Sequence, residues 1–230
     1  MTAPTPNGTA VLDVLRFEAP PVAPLALGLY TEIGTWQEGR FFNGVEVKGP
    51  NYGGEQAFGI WGEPWCPVPP LYDPEAAPGD PGSSIKDGVR PDPLPPFRST
   101  TVWSYDECDA RQITRREIED RSKQILKLQE QTAVERAFAS RLLTDSGAPT
   151  AKPNLREAVG YLEGMAAKTN TACYFHVGAQ WAARELGIFN KSGTRYVTPL
   201  GHIWVIGGGY VDGLVNSIVV TSKPYGWRDE

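Results

Sequence analysis

The sequence is poor in the side chains around which most metal sites and nucleophilic active sites are built. Its 230 residues hold only 3 cysteines, 2 histidines and 2 methionines. Cys66, Cys108 and Cys173 stand far apart, with no CxxC pair and an odd count. That argues against a disulfide framework or a cysteine zinc site and for reduced thiols, made in a cytoplasm. Basic residues are in deficit too, 22 Lys and Arg against 27 Asp and Glu, a net charge of −5. Phosphate neutralisation needs the opposite balance, so nucleic-acid binding is not expected as the main business of the chain, although a local basic patch is still open. No window approaches eighteen uninterrupted apolar residues, and the N-terminus MTAPTPNGTAVLDVLRFEAP lacks a basic start and an apolar core. The expectation is a chain that neither spans a membrane nor carries an export signal.

What is present is a long uninterrupted helical stretch. From Asp109 to Leu143 there is no Gly or Pro, and Arg, Lys, Gln, Glu, Ala and Leu dominate. Asp109 is the expected N-cap, and Gly147 and Pro149 lie where the helix should stop. Ile113, Ile118, Ile125, Leu128, Phe138, Leu142 and Leu143 project into a sector roughly 160° wide. Arg121, Gln124 and Gln131 interrupt any apolar seam at heptad spacing, so a helix laid across a sheet is expected rather than a free coiled coil.

Before that helix, residues 1–27 carry one apolar patch and then Pro20, Pro21 and Pro24, the signature of an extended arm on a surface. Between Leu27 and Trp65 glycines alternate with aromatics, and RFFNGVEVKG predicts a hairpin turning at Asn43-Gly44. Its rings, Phe41, Phe42, Trp61 and Trp65 among them, could form a platform for sugars or bases. No cluster of polar partners accompanies them, which favours a thin packing layer or a contact between subunits. Residues 64–97 are proline-rich, a connection rather than a core, and FRSTTVWSY from Phe97 to Tyr105 predicts a strand. After it and the long helix come a second helix capped by Asn154, with Leu155, Val159, Leu162 and Met165 on one face, and the buried strand CYFHV. GAQWAARELGIF predicts a third helix ending near Gly187, and RYVTPLGHIWVIGGGYVDG with SIVVTS two or three more strands. The class is α+β.

The chemistry legible in the sequence is sparse. Cys173 and His176 are three apart, which in a strand points their side chains to opposite faces. His176 and His202 are expected as buried or hydrogen-bonded histidines at strand ends. Neither HExxH nor an acidic calcium loop is present. Gly207-Gly208-Gly209 follows a strand but lacks the GK[ST] of a phosphate loop, and Tyr210-Val211-Asp212-Gly213 does not read as a helix start. A tight turn where chains approach closely is expected there. Glu117, Glu119, Asp120, Glu130 and Glu135 alternate with Arg and Lys, the pattern of a solvated helix face. No catalytic residue, cofactor or metal is predicted.

The succession of arm, long excursion, long helix, then LREAVGYLEGMAAK, CYFHV, AQWAARELG and NKSGTRYVTPLGHIWVIGGGY resembles the Hong Kong 97-type fold of tailed-phage major capsid proteins. It also looks like actinobacterial phage virion proteins. The resemblance implies an N-terminal arm (1–27), an extended β-hairpin loop with a proline-rich insertion (28–97), and a spine helix with peripheral strands (98–153). A small mixed α/β axial domain (154–213) and a closing strand with a tail (214–230) complete it. It further implies a non-enzymatic subunit that assembles with copies of itself into pentamers and hexamers of an icosahedral shell. Such a subunit would be made in the host bacterial cytoplasm and localise to the virion. It would meet portal or decoration proteins and enclose DNA without specific binding. Phe41, Phe42, Trp61, Trp65, Gly207, Gly208 and Gly209 would then lie at contacts between subunits. Lys48 falls in the extended loop that the resemblance implies, but no cross-linking partner for it is identifiable. The chain ends soon after Val219-Val220, where that family usually adds strands. A minor head or tail-associated adaptor therefore stays open, with a cysteine or histidine hydrolase as a remote third reading.

Overall fold

The structure is a computed structural model, and it describes residues 17, 19–40, 43–47, 95–108 and 114–229. It separates into two compact units. One spans Met1–Trp36 and Val102–Gly226, the other Gln37–Thr101 and Trp227–Glu230.

The first unit is built on a five-stranded mixed sheet. The elements in chain order are α1 (Leu29–Ile33), β1 (Trp36–Glu38), α2 (Arg115–Ser146), α3 (Leu155–Thr169), β2 (Tyr174–Gly178) and α4 (Gln180–Arg184). They continue with β3 (Asn190–Ser192), β4 (Arg195–Val197), β5 (Ile203–Gly207), α5 (Tyr210–Gly213), β6 (Val219–Thr221) and β7 (Gly226–Arg228). The sheet order is β3-β4-β5-β2-β6; β1 and β7, most of whose residues belong to the second unit, pair with each other in a separate ribbon. The central strands β2 and β5 run parallel, with Phe175 opposite Trp204 and His176 opposite Val205, while β6 pairs antiparallel to β2.

Alternation along the strands divides the core in two. Cys173, Phe175, Val177, Trp204 and Ile206 face Leu155, Val159 and Ala166 of α3. Tyr174, Val205 and Val219 face Leu29 and Ile33 of α1, Ala139 and Leu142 of α2, and Tyr210 of α5. Helices therefore cover both faces, and each fully buried large apolar side chain contributes about 1.5–3 kcal/mol. The mixed α+β class agrees with the sequence reading, and Cys173 and His176 do lie on opposite faces.

Helix α2 starts later than expected. Thr114, not Asp109, is its N-cap: Glu117 N–H donates to the Thr114 hydroxyl, and the Glu117 carboxylate accepts from Thr114 N–H at 2.6 Å. This reciprocal pair satisfies two otherwise unpaired donors. Residues 109–113 lie outside the described residues. The helix ends at Gly147, whose φ of 69° suits glycine. Its 32 residues span about 48 Å. Only its C-terminal half packs on the sheet, through Glu135, Ala139 and Leu142. Ile125 and Leu143 of the expected apolar sector are exposed, because the sheet is shorter than the helix and covers a narrower stripe.

Helix α3 keeps its expected cap, with Glu157 N–H donating to Asn154 Oδ1 at 2.9 Å. Its buried stripe continues from Val159 to Ala166, so Met165 faces outward instead of inward. The third helix is shorter than predicted: α4 stops at Arg184, and a single 3-10 turn over Leu186–Ile188 follows.

In the second unit Val45 pairs antiparallel with Phe97, exchanging hydrogen bonds of 2.8 and 2.9 Å. The turn at Asn43-Gly44 is present, and Gly44 has a φ of 89°. The partner of Val45 is a residue far along the chain, whereas the hairpin reading paired it locally across Asn43-Gly44. The Phe97–Tyr105 stretch is extended, yet apart from the Phe97 bridge it joins no sheet. Phe41, Phe42, Lys48, Trp61, Trp65 and Cys66 lie outside the described residues.

Candidate functional site

The most elaborate polar arrangement sits where α2 crosses the sheet, and it centres on Glu135. Sequence placed this carboxylate on a solvated face; the structure buries it completely. Oε1 accepts from Leu29 N–H at 2.9 Å and from the Gln131 amide at 3.0 Å, and Oε2 accepts from Gly209 N–H at 2.9 Å. Burial pushes its pKa up, while the N–H groups of Leu29, Gly209 and Gly208 and the Gln131 amide pull it back.

Three glycines make room for it. A Cβ on Gly28 would overlap the Gln131 and Glu135 side chains, and one on Gly207 would lie 2.6 Å from Glu135 Cδ. On Gly209 it would lie 2.6 Å from Glu135 Cβ and 2.7 Å from Arg136 N. The Gly207-Gly208-Gly209 turn does hold a carboxyl group, and that group is the Glu135 side chain of its own chain. Gly207 and Gly209 are buried against α2, and only Gly208 is exposed. Contrary to the sequence reading, Tyr210–Gly213 is a one-turn helix. It begins at the residue after the glycine that the carboxylate holds.

From Tyr210 a directed chain of hydrogen bonds crosses the core. The Thr221 hydroxyl donates to Ser222 C=O at 2.7 Å, so Thr221 Oγ1 accepts from His176 Nε2–H at 2.9 Å. That assigns the tautomer: His176 Nδ1 is bare and accepts from the Tyr210 hydroxyl at 3.0 Å. Burial lowers the His176 pKa to about 3, and burial, then the nearby Glu135, raises that of Tyr210. An imidazole held neutral with both nitrogens occupied is a poor base. These groups act as a satisfied polar keystone joining α1, α2, β2, α5 and β6.

The outer end of this chain opens on a cavity of about 350 Å³ between α3 and the edge strand β6. Leu162, Ala166, Cys173, Val220 and Thr221 are its more deeply placed lining, and the exposed Met165, Thr169, Thr171 and Ser222 its rim. The Cys173 sulfur contacts Thr171 C=O at 3.5 Å. His202 meets Cys173 at the backbone, where Nδ1 accepts its N–H at 3.2 Å, and stacks on Phe175. No thiol–imidazole pair results.

A third feature is the set of extended segments beside the N-terminal half of α2. Gln124 donates to Val22 C=O at 2.7 Å, and Gln131, two turns on, donates to Leu27 C=O. On another face of the helix the Ser104 hydroxyl lies 2.9 Å from both Ser122 O and Ser122 Oγ, and Arg121 pairs with Asp106 at 3.4 Å. Of the residues that spoil the heptad seam, Gln124 and Gln131 thus hold extended backbone and Arg121 holds the Asp106 side chain of an extended segment. These segments present Phe17 (82% exposed), Trp103 (77%), Leu25, Val22 and Tyr105 to the exterior.

Among the described residues no group of three or more His, Cys, Asp or Glu could hold a metal ion, and no helix is long and apolar enough to cross a membrane. No protein-family model, curated protein or solved structure matches the chain.

Sequence reasoning missed Glu135, Tyr210 and Thr221. For Glu135 the available signal was the small residues that a buried carboxylate needs around it, Gly28, Gly207 and Gly209, far apart in the sequence. For Thr221 there was none, since its role depends on pairing with β2.

Proposed function

We propose that this chain is a structural subunit of a tailed-phage head, with a Hong Kong 97-like fold, that self-assembles into capsomers of an icosahedral shell. The observation that carries this reading is the set of exposed apolar side chains on two extended segments beside α2. Phe17, Val22, Leu25, Trp103 and Tyr105 are all largely exposed, on extended segments pinned to the part of the helix that the sheet does not cover. A protein that works alone seldom leaves so much large apolar surface in water. Burying such side chains between copies is a main source of association energy.

The order of elements also suits the reading, with an extended segment, a long helix and then an α/β layer. So does a core in which Glu135, His176 and Tyr210 are engaged in holding elements together. On this reading the partners are further copies, with portal or decoration proteins, and the enclosed DNA meets few basic residues. The location is the virion.

Light scattering of the purified chain across a range of concentrations, with negative-stain images of any large fraction, tests it. Pentamers, hexamers or shells are the expected result. A chain that stays monomeric at high concentration overturns self-assembly and leaves the adaptor reading in its place.

A further inference from the structure

The first unit carries both an exposed aromatic side chain and a recess, and the two lie on different sides of its sheet. Trp103 belongs to the layer of α2, and the cavity lies under α3 at the β6 edge. We propose that they are the two halves of one head-to-tail contact, in which Trp103 of one copy seats in the α3–β6 cavity of the next. The inference rests on the self-assembly reading above and specifies the surfaces involved.

Four observations support this occupant. First, the backbone that carries Trp103 is tied to α2. The next residue, Ser104, is hydrogen-bonded to Ser122 of α2, and Asp106 is ion-paired to Arg121. Little backbone freedom is then lost on docking, which distinguishes a good anchor from a floppy one.

Second, polarity matches. The cavity of about 350 Å³ has no charged side chain in its lining, and its deeper part is made by Leu162, Ala166, Cys173 and Val220. Third, the rim offers hydroxyls at Thr169, Thr171 and Ser222, beside the C-terminal end of the 15-residue α3. Hydroxyl oxygens and the negative end of a helix dipole suit an indole N–H, which can only donate.

Fourth, the knob sits with the layer of α2 and the hole with that of α3, so the contact joins two different surfaces of the chain. A knob on one face and its hole on another generate a heterologous contact, which closes into a ring or runs on as a filament.

Complementation tests this directly. Trp103→Ala removes the knob, and Thr171→Trp fills the hole; both sites are exposed, so both variants should keep the fold, checked by circular dichroism. Met165→Trp, also at the rim, serves as a second hole variant. Each variant alone should need at least about 30-fold more protein than the wild type to associate, the effect of losing one strong anchor. Mixed, a knob-less and a hole-less variant should form a 1:1 heterodimer and nothing larger, because only one intact knob and one intact hole remain in each pair. Assembly of either variant at the wild-type concentration, or a mixture that stays monomeric, overturns the contact while wild-type assembly still stands. A wild type that never associates overturns the self-assembly reading itself.

Discussion

His176 is a neutral adaptor: it takes a hydroxyl proton from Tyr210 on one nitrogen and gives one to Thr221 on the other. In the folded chain it holds a titratable proton far less tightly than in the unfolded chain, with a pKa of about 3 against 6.5. The unfolded state therefore binds more protons below pH 6.5. The stability that depends on His176 is complete above 6.5 and is lost as the pH falls from there towards 3. Between pH 7 and 4.5 this should cost about 2–3 kcal/mol. Glu135 and Glu32 act in the opposite sense, since burial raises both. Their contribution is fully present below 4.5 and declines as the pH rises through their folded values. Urea unfolding of the wild type and of His176→Gln at the two pH values separates these effects: the drop on acidification should be clearly smaller in the variant. Equal drops would remove His176 as their cause. Nothing local in the sequence distinguishes Glu135 from Glu130, one turn-and-a-half earlier on the same helix. What separates them is which stripe of α2 meets the sheet.

At the scale of elements, the turn between β5 and α5 shows how closely two backbones can be brought together. Gly209 has an ordinary φ of −69°, so it is required for space and not for conformation. A Cβ there would overlap Thr132 O and Arg136 N, which are backbone and cannot swing away. One residue earlier, a Cβ on Gly208 would meet Thr132 Oγ1 at an ordinary 3.5 Å. Gly209→Ala should accordingly lower stability by more than about 2 kcal/mol, within the range seen when side chains are forced into packed interiors. Gly208→Ala should be close to neutral. Thermal unfolding of the pair measures the contrast, and two similar melting temperatures would refute the close approach. Elements set by local chemistry were legible in advance. The Asn154 cap, the Gly147 stop and the alternation of Cys173 to Val177 between the two faces of a buried strand all follow from residues within a few positions of each other. The Val45–Phe97 pairing and the short α4 were not, because each is decided by contacts between distant segments.

For the whole molecule, the proposed assembly makes stability a matter of concentration. If neighbours cover Trp103, Tyr105 and the arm at Val22 and Leu25, binding stabilises the folded subunit by mass action. The apparent Tm of the wild type should then rise over a hundredfold increase in protein concentration, and that of Trp103→Ala should rise less. Differential scanning fluorimetry across that range is the measurement; a Tm independent of concentration would show that the exposed apolar surface is not covered by further copies.

By itself the sequence determined the α+β class, the long helix with its stop, the α3 cap and the opposite facing of Cys173 and His176 on a buried central strand. Each of these depends on periodicity or capping, which act over a few residues. Only the tertiary structure decided that Glu135 is buried in a cradle of glycines, that His176 bridges Tyr210 and Thr221, and that Met165 and Trp103 face outward. Burial is a property of where an element lies against its neighbours, and a charged residue on a helix looks the same in sequence whether water or a sheet lies beside it.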